Sequence, residues 1–420
     1  MTASVRKRLA SSRAIVILLF IATATILAAV ASKASPSGDE IRIAVVLPIT
    51  GREAKPGQYQ REGIELAIKQ INDAGGIMVK DKGKKLPVKE IFYDDASDQQ
   101  KSAGLAERAM TSDDVVAVIG GYSTALGEAE SVMPDRYQTP LISPGAGASK
   151  IYSRGYQYMF GTLSPVELMG YTTGEFLGGL VDQGRLKKGL AIALALENTD
   201  HGVDYGNGIV RWTKEHPEYF RIVFSEKFEL GGTDFSGLLQ KVKSAKADIF
   251  LADAHLQDYI TMQRQYIQSG MYHQMISYGA RGPDADARKA LGDGTNYIFA
   301  ALWWSSKLPY PQVKKFDADY QAFTGHPPDS WYAAPAYDAM RALALAIEQA
   351  GTMNKTAIRD SLRKVELKGS LLPGQVLRFG PNGQVQLSFV LVQNKPEDKT
   401  DIVYPKDAAT GEAVAPKPQK

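Results

Sequence analysis

The sequence predicts an α/β protein built as two Rossmann-like units in series, each with a parallel-rich sheet. Three observations predict it. Apolar β-like runs alternate with amphipathic helical spacing from residue 41 to about residue 280. The alternation breaks off and restarts once, near residue 166. None of the 420 residues is cysteine, so burial rather than a disulfide scaffold must stabilise the chain. Strand–helix–strand alternation implies parallel strands joined by right-handed crossovers.

The N-terminus reads first as an export signal. Arg6, Lys7, Arg8 and Arg13 precede the apolar run Ala14 to Ala31, and small residues at Ala29 and Ala31 lead into "SKASPSGDE". A positive n-region, an apolar h-region and a small-residue cleavage site make a signal peptide, residues 1–34, removed between about Ala31 and Ala34. The run also just reaches spanning length, so an uncleaved anchor is the alternative. Both place the remainder outside the cytoplasm, and no later segment is long and apolar enough to span a bilayer.

In the first unit, "IRIAVVLPI" (41–49) is a buried strand and "GQYQREGIELAIKQINDAGG" (57–76) a helix with Ile64, Ala67, Ile68 and Ile71 on one face. A strand at 86–95, a helix at 97–112 capped by Ser97, a strand at 115–121, a helix from Ser123 and a strand at 140–143 follow. The second unit has helices at 166–181, 205–217, 234–245 and 256–270. They alternate with strands at 189–197, 221–228, 247–253 and 275–280. Beyond these, residues 309–325 and 336–351 are helical, and 376–393 reads as a hairpin turned at Asn382-Gly383. The tail is read as loose, with residues 405–420 outside both units. Two such units place a ligand cleft at the carboxyl ends of their strands.

Charge narrows the partners. The balance of 49 basic against 46 acidic residues, net +3, lacks the concentrated basic face of a nucleic-acid binder. No P-loop, no G-x-G-x-x-G after a strand and no H-E-x-x-H occurs, so no cofactor is expected. "YDDASD" (93–98) lacks the spacing and glycine of a calcium loop, so no metal is expected either.

The phrases "IRIAVVLPITG", "GIELAIKQINDAGGI", "VVAVIGGYST", "PLISPGA", "RGYQYMFGT", "YGNG" and "GTDFSGLLQKVKSAKADIFLA" occur in this order. Together they resemble the periplasmic Leu/Ile/Val-binding proteins of branched-chain amino-acid ABC transporters, the type I periplasmic binding fold. The resemblance implies two lobes that close on a small ligand, joined by three crossings near Gly161–Pro165, Trp304–Leu308 and Gly380–Gln386. It implies an N-terminal lobe of residues 41–162 plus 308–382 and a C-terminal lobe of 163–307 plus 383–404. The implied partners are a small amino acid or organic acid and an inner-membrane ABC permease, with a monomer expected.

Candidate site residues gather at strand ends. "GYSTA" (121–125) is one residue away from the G-x-S-x-G nucleophile elbow, but Ala125 replaces its final glycine and none of the five histidines sits in a motif. Ser123 instead suits a helix cap and an anion site together, because first-turn N–H groups and a hydroxyl are donors. The resemblance assigns Tyr122, Ser123 and Thr124 to the ligand's carboxylate. In "SPGAGASK", Gly145, Ala146 and Gly147 form a turn whose amides face the same cleft. Gly147 stands where the family usually has a hydroxyl.

The second lobe contributes Tyr205, His255 and Arg281. His255 falls where the family often has tyrosine, and Arg281 where amino-acid binders place an acid for the ammonium. Trp303, Trp304, Trp331 and Tyr332 are candidates for an aromatic wall. The expectation is a binding protein whose ligand is an aromatic or hydroxylated organic acid, or an amide. The alternative is an amino acid, if Asp253 or Glu197 turns inward. A ligand-sensing ectodomain and a serine hydrolase at Ser123 are the rival functions.

Overall fold

The computed structural model describes residues 38–328 and 330–419. The signal-peptide and anchor readings lie outside them. Among the described residues no helix is long and apolar enough to cross a membrane.

The first unit comprises β1 (Ile41–Leu47), α1 (Ala54–Asp73), β2 (Ile77–Val79), β3 (Lys84–Leu86), β4 (Val88–Asp94), α2 (Gln99–Ser112), β5 (Ala117–Gly120), α3 (Thr124–Glu130), α4 (Met133–Arg136), β6 (Leu141–Ser143), α5 (Ser149–Tyr152) and β7 (Met159–Gly161). Its five-stranded sheet runs β4-β1-β5-β6-β7, with every pairing parallel. β1 is buried except at Arg42 because helices cover both faces, which is why it reads as an unbroken apolar run.

The second unit begins with α6 (Val166–Asp182) and β8 (Leu190–Glu197). It continues through α7 (Asp200–Glu215), β9 (Phe220–Phe228), α8 (Ser236–Ser244), β10 (Ile249–Asp253), α9 (Leu256–Gln268), β11 (Met275–Tyr278), α10 (Ala285–Leu291) and β12 (Phe299–Leu302). The chain then returns through α11 (Pro311–Thr324), α12 (Ala333–Ala350), α13 (Lys355–Leu362), β13 (Leu367–Lys368) and β14 (Val376–Leu377). It ends with β15 (Val390–Lys395) and β16 (Lys399–Tyr404). The second sheet has the order β16-β15-β12-β11-β10-β8-β9, and β15 and β16 are its antiparallel edge. α12 packs back on α1 of the first unit, so late sequence completes the early core.

Four local expectations are corrected. The hairpin at Asn382-Gly383 does not form: β14 pairs with β13, and residue 384 bridges in parallel to Gly161 beside β7. The turn itself forms, with the Gly383 N–H donating to the Gly380 carbonyl at 2.9 Å, but the flanking strands take tertiary partners instead of each other. The cap of α2 is Asp98, whose side chain accepts from the Lys101 amide, while Ser97 sits at φ 64. The helix expected at 205 starts at Asp200, capped by Thr199, whose hydroxyl accepts from the Gly202 N–H.

The tail is not loose. β16 extends the sheet, the Val414 N–H donates to Gln393 Oε1 at 2.7 Å, and the Lys417 N–H donates to the Gln274 carbonyl at 2.8 Å. The buried Gln393 carboxamide requires such partners, and the passing backbone satisfies them.

Candidate functional site

The first-unit wall starts where β5 ends. Gly121 turns at φ +78, and a Cβ there would meet the Gly127 Cα at 2.8 Å, so only glycine lets the chain double back into α3. That turn buries Tyr122, Ser123 and Thr124 together. Ser123 occupies the cap position of α3, but its side chain makes no capping hydrogen bond. The Thr124 hydroxyl is buried without a partner. Cap duty, expected of Ser123, is therefore absent.

The turn after β6 also departs from expectation. Ser143 Oγ accepts from the Ala146 N–H at 2.9 Å and the Gly145 N–H at 3.3 Å, and donates to the Gly121 carbonyl at 3.0 Å. The Gly145 and Ala146 amides, expected to face the cleft, are thus consumed internally. Gly145 and Gly147 are packing positions. A Cβ at 145 would lie 2.7 Å from the Tyr122 ring, and one at 147 would lie 2.9 Å from Val166.

The second-unit wall is charged. Arg281, just past β11, is 3% exposed. Its Nη2 donates to Tyr122 Oη at 3.3 Å, and its guanidinium lies 5.4 Å from the ring centroids of both Trp331 and Tyr332. Its Nε and Nη1 have no partner. Tyr332 meets Tyr122 edge-on at 5.6 Å, and Trp331 lies 4.5 Å from Trp303. The Trp303 indole N–H is spent on the Ser164 carbonyl. Asp284 accepts from the Tyr332 hydroxyl at 3.4 Å, and burial pushes its carboxyl up to about 6.

His255 precedes α9 and bridges the walls. Its Nδ1 lies 2.6 Å from Glu53 Oε1 on the first side, and its Nε2 lies 3.4 Å from Glu197 Oε1 at the end of β8. Burial opposes its charge, but the carboxylates of Glu197 and Glu53 outweigh burial and raise its pKa to about 10. Burial likewise works against the charge of Glu197 and Glu53, and His255 outweighs it, so both are held below the usual carboxylate range. His201, in the first turn of α7, faces Asp253 Oδ2 at 2.7 Å.

Tyr205 is fully buried in the same apolar cluster as Tyr122 and Tyr332, and its hydroxyl has no partner. Glu53 and His201, which the sequence reading missed, stand among the buried charged groups of this region. The Thr199 cap was the available signal for His201, since it moves the helix start forward. A cavity of about 290 Å³ at the mouth is lined by Arg52, Glu53, Ser123, Leu126 and Thr199.

A parallel two-unit fold with a site at facing strand ends invites comparison with known proteins. A profile described as periplasmic binding protein matches residues 40–400. The chain belongs to the periplasmic binding protein family. A leucine-, isoleucine-, valine-, threonine- and alanine-binding protein of Pseudomonas aeruginosa is 28% identical over 333 residues, 78% of this chain and 83% of that protein. The fold matches a branched-chain amino-acid transporter substrate-binding protein of Streptococcus pneumoniae, solved with isoleucine. That match has TM-score 0.73 and 23% identity, covering 90% of this chain and 100% of the other. It also matches a solute-binding protein of an ABC transporter from R. palustris, solved with 4-hydroxybenzoate, at TM-score 0.73 and 19% identity, covering 86% and 95%. Homologues of this chain are thus ABC-transporter substrate-binding proteins, and the two-lobed type I fold expected from the sequence is the fold observed.

Proposed function

We propose that this protein is an exported, monomeric solute-binding protein that delivers a small organic carboxylate, aromatic or hydroxylated, to an inner-membrane ABC permease. One observation carries the ligand class: the buried guanidinium of Arg281 keeps Nε and Nη1 unpaired beside Tyr122, Trp331 and Tyr332. A buried cation with free donors is a receptor for a carboxylate, and the rings supply an apolar wall. The hydroxyls of Ser123 and Thr124 add donors on the facing side. The lobes divide at the three crossings, near residues 161–165, 304–308 and 380–386, and ligand binding draws them together. The protein performs no chemistry: both ring nitrogens of His255 face carboxylates, so it is not disposed as a base for Ser123.

A second reading, an α-amino acid, is favoured by Glu197 Oε2, which is buried and unpaired and would receive an ammonium. A thermal-shift panel of benzoates, hydroxylated acids and amino acids decides between them. Strong stabilisation by an aromatic or hydroxylated acid is expected. Stabilisation by leucine, isoleucine or valine alone overturns the proposal.

A further inference from the structure

We infer that Glu197, His201 and Asp253 form a binding site for one divalent transition-metal cation of the zinc class. The inference is independent of the organic-acid reading and departs from the metal-free expectation drawn from sequence motifs. One ligand atom each from Glu197, His201 and Asp253 lies within 4.8 Å of the others, and all three residues are buried. His201 Nδ1 lies 2.7 Å from Asp253 Oδ2 and 4.0 Å from Glu197 Oε1. Glu197 Oε2 has no partner although its residue is fully buried, so the cluster retains an unused donor atom.

His255 stands beside the cluster as a neighbour rather than a ligand, with Nδ1 2.6 Å from Glu53 Oε1 and Nε2 3.4 Å from Glu197 Oε1. One imidazole and two carboxylates in one buried cluster suit zinc better than magnesium or calcium, which prefer all-oxygen shells.

The frame is stiff. Glu197 and Asp253 end neighbouring strands, β8 and β10, and His201 stands in the first turn of α7. Gly202 packs against Glu197, where a Cβ would meet the Glu197 carbonyl at 2.2 Å. A Cβ at residue 279 would meet Asp253 Oδ1 at 2.1 Å, so the glycine leaves room for a carboxylate whose Oδ2 faces His201.

The test uses the exported protein, stripped with EDTA, dialysed and kept free of organic acids. Zinc chloride titrated by calorimetry, with elemental analysis of the dialysed complex, should give about one equivalent bound with a raised Tm. His201→Ala and Asp253→Asn should each weaken zinc binding at least tenfold, while His216→Ala, at a distant histidine, should not. Thermal unfolding of each variant checks that it folds, and Glu197→Gln replaces any variant that does not. No zinc bound, or zinc bound equally by the parent and these variants, overturns the inference. Repeating the organic-acid panel in EDTA keeps the two proposals separate, because acid binding should survive chelation.

Discussion

The two walls of the cleft are built in opposite ways. The first-unit wall is made of a turn, small residues and hydroxyls, and its shape is set by backbone contacts such as those of Ser143 Oγ with the amides of residues 145 and 146. The second-unit wall carries Arg281, His255, His201, Glu197 and Asp253, all buried. A wall shaped by backbone tolerates many ligands with the same end group. A wall shaped by buried charge discriminates, because every ion must be matched by an opposite one. The contrast predicts that specificity resides on the second side.

Removing the second-side cation should have the largest effect. Arg281→Ala is expected to weaken organic-acid binding a hundredfold or more by calorimetry, about 3 kcal/mol for losing a buried charge partner. Unaltered affinity would dismiss Arg281 as the carboxylate receptor and remove the asymmetry between the walls. Ser123→Ala comes next, at about ten- to a hundredfold, the range of one hydrogen bond to a charged group. Because the Ser123 side chain makes no capping bond, its Tm should barely move. A drop of several degrees with unaltered affinity would give the residue a purely structural role.

Gly147→Ala probes the backbone-built wall, where the added methyl would press on Val166 at 2.9 Å and on Trp303 at 3.3 Å. Overpacking there should cost roughly 1–3 kcal/mol of stability. An unaltered melting curve would show that this wall yields.

The smallest effect concerns pH. Burial raises the Asp284 carboxyl to about 6, so as pH falls through that value the folded protein gains a proton and loses a negative charge near Arg281. Its contribution to stability is therefore full below its ordinary pKa of 3.8 and is lost as pH rises through about 6. An anionic ligand should bind severalfold tighter at about pH 5.5 than at about pH 7.5, provided that its own carboxylate stays ionised. Asp284→Asn should flatten that difference, and a slope surviving the substitution would place the titrating group elsewhere.

The walls also differed in how they could be read. β1, β8 and β10 are buried almost throughout, so they stand out as continuous apolar runs, and the two-unit architecture follows from them. The first wall was legible for the same reason: Tyr122, Ser123 and Thr124 lie where an apolar strand meets a helix. The second wall depends on pairs far apart in the chain. Glu53 meets His255 across 202 residues, and His201 meets Asp253 across 52. No local period encodes such pairs. The hairpin read at 376–393 fails for a related reason: its turn at Asn382-Gly383 forms, but beyond it the chain pairs with Gly161 and with distant strands.

Gln384 carries a consequence beyond chain tracing. Its side-chain amide donates at once to the Gly147 carbonyl, in the small-residue wall, and to the Leu163 carbonyl, just after β7. Beside it, Ser164 Oγ donates to the Leu387 carbonyl and accepts from the Leu387 N–H. The segments at 163–164 and 384–387 are thereby stitched into one ribbon, and the ribbon is tied to the small-residue turn at Gly147. If the lobes pivot on these segments, as proposed, the fulcrum is fastened to the load: a displacement at residue 147 reaches it through one side chain.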